Sequence, residues 1–576
     1  MTQYKPIIVR NSEGWSDLPA TWPDCLRRVM AARGIKSESD FVYDLASLPA
    51  PEQLSGMDIA AKLMAKAIKQ QWHIVIVADF DTDGATSCAL AIRALSAMGT
   101  EQVSYLVPSR FKHGYGLSRE LLNDADLSTV DLIMTVDNGI ASIDGVAAAH
   151  EQEIKVVITD HHLPGEVLPD ADAIVNPNLK DDSFPSKKLA GVGVCFYLLL
   201  GLRRELREQG WFQQKMIPEP NLMQWLDLVA VGTVADLVPL DRLNRTLVNI
   251  GLQRIRAGKT IEGIHALITV AGREHASLSA NDIGFALAPR INAAGRLQDM
   301  RQGITLLLCD DPVKAQEQAW QLNTINSERR QVERGMRDDA IAMLANMSFS
   351  DEQPMAYCLY DDSWHQGVIG LVASRIKEQQ HRPVIAFAPS SNGEIKGSAR
   401  SIPGLHIRDA LVRVASEAPS ILQHFGGHAM AAGLTINQHD LADFEALFLN
   451  AVGQLADPVM FTQTLYSDGE LADKEMTLSL AEQLSIAAPW GQGFVEPQFH
   501  GQFKILAMRA LGEKSNHLKL NVALANGREV TAMAFGQFAP DWLEIGQTIM
   551  LRYRLSVNNF RQQRQLQLLV DNLLPT

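Results

Sequence analysis

Thiolate chemistry is the first thing this sequence excludes. Its five cysteines, Cys25, Cys88, Cys195, Cys309 and Cys358, are scattered and form no CxxC pair. A disulfide framework and a structural zinc site both need closely spaced cysteines, so neither is indicated and the thiols are expected to be buried. Long apolar runs are missing too, since none reaches the roughly 20 residues of a membrane-spanning helix. The opening stretch MTQYKPIIVRNSEGW lacks the charged-then-apolar order of a secretory signal. These absences predict a cytoplasmic protein with no membrane attachment. Positive charge is in deficit, with 52 Lys and Arg against 66 Asp and Glu, which argues against a uniform electrostatic adhesive for nucleic acid. The deficit is uneven, because residues 501–576 hold nine Lys and Arg against five Asp and Glu.

The 576 residues, 46% of them hydrophobic and 20% charged, are enough for two to four domains at roughly 150 residues each. The first half alternates strand and helix. Apolar runs HIVIV (73–77), QVSYLV (102–107), DLIMTV (131–136), KVVIT (155–159) and ADAIV (171–175) are separated by stretches of helical length such as CALAIRALSAMG (88–99). That pattern predicts an α/β fold with a mostly parallel sheet covered on both faces. In such a sheet ligands bind at the carboxyl ends of the strands, where strand order reverses.

Those ends are rich in ligand atoms. VADFDTDGATS places Asp79, Asp81 and Asp83 at alternating positions, which in an extended strand would put three carboxylates on one face. Crowded carboxylates repel and raise one another's pKa unless a cation neutralises them. Asp137 follows the run at 131–136, and Asp160, His161 and His162 follow the run at 155–159. Asp236 closes the apolar stretch in DLVAVGTVADLVPL, where it could complete the set. Each alone reads equally well as a turn, a strand end or a helix cap. Together they place only oxygen and imidazole ligands at the functional end of one sheet. Carboxylates with imidazole and no thiolate suit Mn²⁺ or Mg²⁺, and so many acids suggest two ions. Two cations about 4 Å apart can activate water and stabilise a leaving oxygen in phosphoester hydrolysis. Asp137, alone on a central strand, is the natural bridge.

VADFDTDGATS, TVDNGI, VITDHHLPG and GTVADLVPL resemble the successive motifs of the DHH phosphoesterase superfamily. WHQGVIGLVASRIKEQQHRPVIAF (364–387), GSARS (397–401) and FGGHAMAAG (425–433) resemble the substrate-binding domain that accompanies that core. Nearly the whole chain resembles the branch of the superfamily that digests single-stranded DNA. The resemblance implies a metal shell of Asp79, Asp81, Asp83, Asp137, His161 and Asp236, with His162 facing the scissile phosphate. It implies that Arg110, Arg290 and Ser398 hold a terminal phosphate, with Arg296 and Arg400 as further candidates and Gly426, Gly427 and His428 on the substrate side. It also implies 5′ to 3′ digestion to mononucleotides in recombination and repair, with single-strand binding protein and a repair helicase as partners. One departure is Ala78, where many relatives have glycine; it touches packing more than chemistry.

Four regions are expected: a catalytic domain with an N-terminal extension over 1–309, a connecting helix over 310–350, the associated domain over 351–455 and an oligonucleotide-binding barrel over 456–576. The helix follows from the spacing of AQEQAWQLNTINSERRQVERGMRDDAIAML (315–344), after which SFSDEQP reads as a turn region. The barrel follows from alternating apolar and polar residues, a hairpin at Asn526-Gly527 and the local positive excess. Phe503, Phe535, Phe538, Tyr553 and Phe560 are candidate stacking platforms for bases, although most aromatics in such a barrel are core. Gly426 and Gly427 read as a turn whose backbone could approach phosphate. AGKT (257–260) lacks the earlier glycine of a phosphate loop, since position 253 is Gln. A monomer is expected. Two other readings stay open: a DHH hydrolase of short oligonucleotides, cyclic dinucleotides or pyrophosphate, for which a barrel is superfluous, and a non-enzymatic scaffold, against which the intact acidic shell argues.

Overall fold

In the computed structural model, residues 5–346, 353–512, 516–560 and 563–576 are described. They form two compact units. The larger comprises Ile8–Gly295, Asp299–Leu322 and Tyr466–Thr576, and the smaller is built on Asn323–Leu465 with Arg296–Gln298.

The five apolar runs of the first half are strands of one sheet in the larger unit. Its order is Val103–Leu106, Ile74–Ala78, Leu132–Val136, Lys155–Thr159 and Ala173–Val175, and every neighbouring pair is parallel. The three central strands are buried on both faces apart from Lys155, which is why they read as continuous Val/Ile runs rather than alternating ones. From Ile74–Ala78 the chain goes first to one neighbour and then, past it, to the other. Strand order therefore reverses between Ile74–Ala78 and Leu132–Val136, and the crevice opens at their carboxyl ends. Helices Gly191–Glu208 and Leu226–Ala235 pack on Thr82–Ala97 behind it.

The three aspartates do not line one strand face. The strand stops at Ala78, Asp81 caps helix Thr82–Ala97 by accepting from the Asp83 and Gly84 amides, and Asp83 lies in the first helical turn. N-cap geometry suits Asp and completes the helix's free amides, so a tight strand-to-helix junction gathers the carboxylates where alternation was expected to.

The C-terminal segment of the larger unit is a closed five-stranded barrel, ordered Phe499–Leu511, His517–Ala523, Glu529–Phe535, Gln563–Pro575, Thr548–Phe560. The expected hairpin sits at Asn526-Gly527, where Gly527 takes φ 83°. Phe503 and Tyr553 are buried in the barrel core, whereas Phe535 and Phe538 are 59% and 63% exposed; the side chain of Phe560 lies outside the described residues. Two of the stacking candidates are thus interior packing, because alternate residues of a barrel strand point inward.

The smaller unit holds a mixed sheet, ordered His424–Gly427, Ala431–Asn437, Glu394–Arg400, Val384–Pro389, Tyr357–Tyr360. Ile395 and Ala399 point into a core with Phe387, Phe444 and Phe448, which leaves Lys396, Ser398 and Arg400 on the opposite, half-buried face. Gly426 and Gly427 lie in the edge strand rather than a turn. Gly427 takes φ 142°, and a Cβ there would meet the Ala431 carbonyl at 2.5 Å. The connecting helix expected over 310–350 spans Pro312–Asn346; most of SFSDEQP falls outside the described residues. Among the described residues no helix is long and apolar enough to cross a membrane.

Candidate metal centre

Asp79, Asp81, Asp83, Asp137, His161 and Asp236 converge at the crevice. Among the described residues three overlapping groups have ligand atoms within 4.8 Å of one another: Asp79, Asp81 and Asp137; Asp83, His161 and Asp236; and Asp137, His161 and His162. His161 Nε2 lies 3.1 Å from Asp137 Oδ1 and 3.5 Å from Asp236 Oδ2. Asp137 follows the central strand in a left-handed conformation, φ 62°, which costs a non-glycine residue about 1 kcal/mol or more. The surroundings hold it there: its amide donates to the Thr159 carbonyl at 3.1 Å and its carbonyl accepts from the Tyr115 hydroxyl at 3.0 Å. Glycines make room for the cluster. A Cβ on Gly191 would meet Asp137 Cβ at 2.5 Å, and one on Gly232 would meet Asp83 Oδ1 at 2.8 Å.

The electrostatics are those of a site built for cations. Burial, reinforced by neighbouring carboxylates, pushes Asp79, Asp137 and Asp236 well above the usual carboxylate range and Asp83 to about 7. Asp79 Oδ1, Asp137 Oδ1 and Asp236 Oδ2 are buried with no hydrogen-bond partner among the described residues. Buried carboxylate oxygens are normally bonded, so this donor set fits metal ions that prefer oxygen and imidazole ligands. Asp83 has a second task, since its two oxygens accept from the Gly191 and Val192 amides at 2.6 and 3.0 Å and cap helix Gly191–Glu208.

The DHH triplet divides its roles. Asp160 turns away from the cluster: Oδ2 accepts from the Ile140 amide at 2.9 Å, and Oδ1 accepts from the His161 amide and from His162 Nδ1, both at 2.7 Å. Burial disfavours its charge, but the His162 hydrogen bond and charge outweigh that and hold its carboxyl below the usual range. The same pairing, with Asp79 and Asp81, outweighs the burial of His162 and raises its pKa. Asn176 donates to the His162 carbonyl at 2.9 Å and Asn178 to the His161 carbonyl at 2.5 Å. Asp160, Tyr115, Asn176 and Asn178 escaped the sequence reading as positioning groups. The signals were present in VNPN after the last strand and in the tyrosine of VPSRFKHGYG, but a polar strand end has many uses.

The arginines separate. Arg110 lies over the Phe80 ring, 3.9 Å from its centroid; burial lowers its pKa against the opposing charges of Asp79 and Asp81. Arg290 is buried in helix Ala288–Leu297 and donates to the Ala286 carbonyl. That helix is tied to the strand-to-helix junction, where Asn292 Oδ1 accepts from both the amide and the hydroxyl of Thr82 at 2.9 Å. Arg296 groups with the smaller unit and donates to the Gly367 carbonyl at 3.2 Å. On that unit's polar sheet face Arg400 donates to Ser398 Oγ at 2.9 Å. Gly433 pairs Ser398 on one side and Gly426 on the other, and His428 follows the edge strand. In AGKT, Thr260 donates to buried Asp227 at 2.7 Å.

The family models that match are the DHH family N-terminal domain over 73–233, the DHHA1 domain over 352–455 and the RecJ OB domain over 467–572. Curated relatives include the single-stranded-DNA-specific exonuclease RecJ of Salmonella typhimurium, 46% identical over the full length of both chains. Its Escherichia coli counterpart is 47% identical, again over the full length of both. Among solved structures, RecJ of Thermus thermophilus in complex with Mn²⁺ covers all of this chain and 80% of its own at TM-score 0.80 and 29% identity. Its Mg²⁺ complex does so over 78% of its own length at TM-score 0.75 and 27% identity.

Proposed function

The chain belongs to the RecJ family of DHH phosphoesterases, and from that premise we propose that it digests single-stranded DNA from the 5′ end by two-metal hydrolysis, releasing mononucleotides. The observation that carries the reading is the set of buried, unbonded carboxylate oxygens at the point where strand order reverses. Asp79, Asp81, Asp83, Asp137, His161 and Asp236 would hold two Mn²⁺ or Mg²⁺ ions. When bound, such ions activate water and offset the charge on the leaving oxygen. Asp137 belongs to two of the ligand groups, which suits it to bridge. His162, steered by Asp160, faces the phosphate and can supply a proton.

Arg110 offers a planar fork for terminal phosphate oxygens, with Arg290 as a second candidate. Ser398, Arg400, Gly426, Gly427 and His428 form a substrate face of the smaller unit, with Arg296 as a further candidate. On the barrel, Arg509 pairs Lys519 and His517 pairs Phe535 in register, giving a basic, aromatic surface for a single strand. The family resemblance supports a cytoplasmic role in recombination and repair, with single-strand binding protein and a repair helicase as partners.

The test is incubation of 5′-labelled and 3′-labelled single strands of DNA and RNA with Mn²⁺, Mg²⁺ or chelator. The reading expects early mononucleotide release of the 5′ DNA label, none with chelator and little from RNA. Early release of the 3′ label would reverse the polarity, and cleavage in chelator would end the metal mechanism.

A further inference from the structure

The segment that leads into the barrel touches the chain after Asp236, a candidate metal ligand, through the turn at residues 490–494. Asp236 is the C-cap of helix Leu226–Ala235, and the chain after it is held at Pro239 and Leu240. The Leu240 amide donates to the Gln492 carbonyl at 2.7 Å, its carbonyl accepts from Arg245 at 2.9 Å, and the Pro239 carbonyl accepts from Asn244 at 3.0 Å. Gln492 lies in a turn closed by reciprocal Gly491 and Phe494 backbone hydrogen bonds of 2.9 and 3.1 Å. That turn presses on the segment: a Cβ at Gly491 would stand 2.6 Å from Leu240 Cδ1, and Gly493, at φ 72°, faces Pro239.

Four planar groups lock the turn. Arg33 lies over Trp490 at 5.3 Å, Trp490 stacks on Phe494 at 5.3 Å and 13°, and Arg245 lies over Phe494 at 4.3 Å. Cation-over-ring contacts strengthen as their groups are desolvated, and here they close both ends of one stack. Arg33 is fixed in turn by Asp468 at 2.8 Å and by the Val495 carbonyl at 2.7 Å. The stack thus joins the N-terminal extension, the approach to the barrel and the helix that follows the Asp236 loop.

We propose that the 490–494 turn is a positioning element for the metal centre: by pinning Pro239 and Leu240 it fixes the reach of Asp236, so the barrel segment sets metal affinity as well as strand capture. This rests on the metal-dependent reading above. Distances at a metal site must hold within a few tenths of an ångström, and Leu240 is only four residues from the ligand.

The test titrates Mn²⁺ calorimetrically into the full-length wild type, Gly491→Ala and Gly491→Ala with Leu240→Val, which removes the Cδ1 that the new methyl strikes. Thermal unfolding checks each fold, and kcat, KM and strand affinity in chelator are measured on short and long oligonucleotides. Gly491→Ala is expected to weaken Mn²⁺ binding about tenfold and to lower kcat alike on both lengths, with strand affinity unchanged and the double variant recovering most of the loss. Should Gly491→Ala not fold, Arg33→Lys, which keeps the charge on Asp468 but loses the planar stack, reads the same quantities. Unchanged Mn²⁺ affinity with weaker long-strand capture would overturn the proposal. A wild type that binds no Mn²⁺ would instead overturn the metal reading beneath it.

Discussion

The metal crevice and the outer face of the barrel solve opposite problems with opposite chemistry. The crevice is buried, acidic and held under tension: carboxylates pushed up by burial, oxygens without partners and a left-handed Asp137. The barrel face is open and basic, with Arg509, Lys519 and His517 beside an exposed Phe535. One site concentrates charge at the expense of stability so that cations are held tightly. The other, on the proposed function, would spread weak contacts along a polymer. A strand enzyme needs both, because crowded carboxylates alone would repel DNA.

If the crevice carries the chemistry, Asp137→Ala should lower hydrolysis at least a thousandfold while strand affinity in chelator stays within about twofold; steady-state rates and a binding isotherm check it, and substantial residual cleavage would remove Asp137 as the bridge. Asp160 accepts from the His161 amide and from His162 Nδ1, so Asp160→Asn should cost about 10–100-fold in rate, measured beside a Mn²⁺ titration that shows near-normal occupancy. Arg110→Ala should lower the initial rate on 5′-phosphorylated strands about tenfold more than on 5′-hydroxyl strands, and an unchanged ratio on matched oligonucleotides would take it out of end recognition. The smallest effect belongs to the barrel: Lys519→Ala should weaken long-strand binding a few-fold and reduce the salt slope by roughly one, leaving the rate on short strands intact.

The crevice also has a signature in pH. A carboxyl raised in the folded chain keeps protons that the unfolded chain releases, so the folded state is not penalised below the unfolded pKa of about 4. The penalty grows as pH rises from there through the folded value, about 7 for Asp83. In chelator the melting temperature should therefore fall between pH 5 and 8, and Mn²⁺ should raise it more at pH 8 than at pH 5. A melting profile flat in pH, with and without Mn²⁺, would mean that the cluster is not under this tension.

The same contrast explains what could be read before the fold was known. The strands behind the crevice announce themselves because parallel strands buried on both faces are continuous apolar runs, and their candidate ligands follow them directly in sequence. Asp79, Asp137 and His161 were legible for that reason. The route by which Asp81 and Asp83 join them was not, because alternation predicts a strand face while the chain makes a helix cap. Asp160 was visible as a residue but not as a partner of His162, since only the side-chain direction separates a ligand from its support. The pairing of Arg509 with Lys519 and of His517 with Phe535 depends on barrel register, which local sequence does not display. Phe503 and Tyr553 look like Phe535 in sequence and differ only in the face they occupy. The turn at 490–494 reaches Leu240 across some 250 positions, a distance over which no local pattern speaks.

The central claim is that this crevice holds a pair of ions bridged by Asp137. Calorimetric titration of Mn²⁺ into the metal-free full-length wild type and into Asp137→Ala, both checked for fold by thermal unfolding, tests it most directly. The wild type should bind two equivalents and the variant should bind both more weakly; a single equivalent in the wild type, or two undiminished equivalents in Asp137→Ala, would rule out the bridged pair.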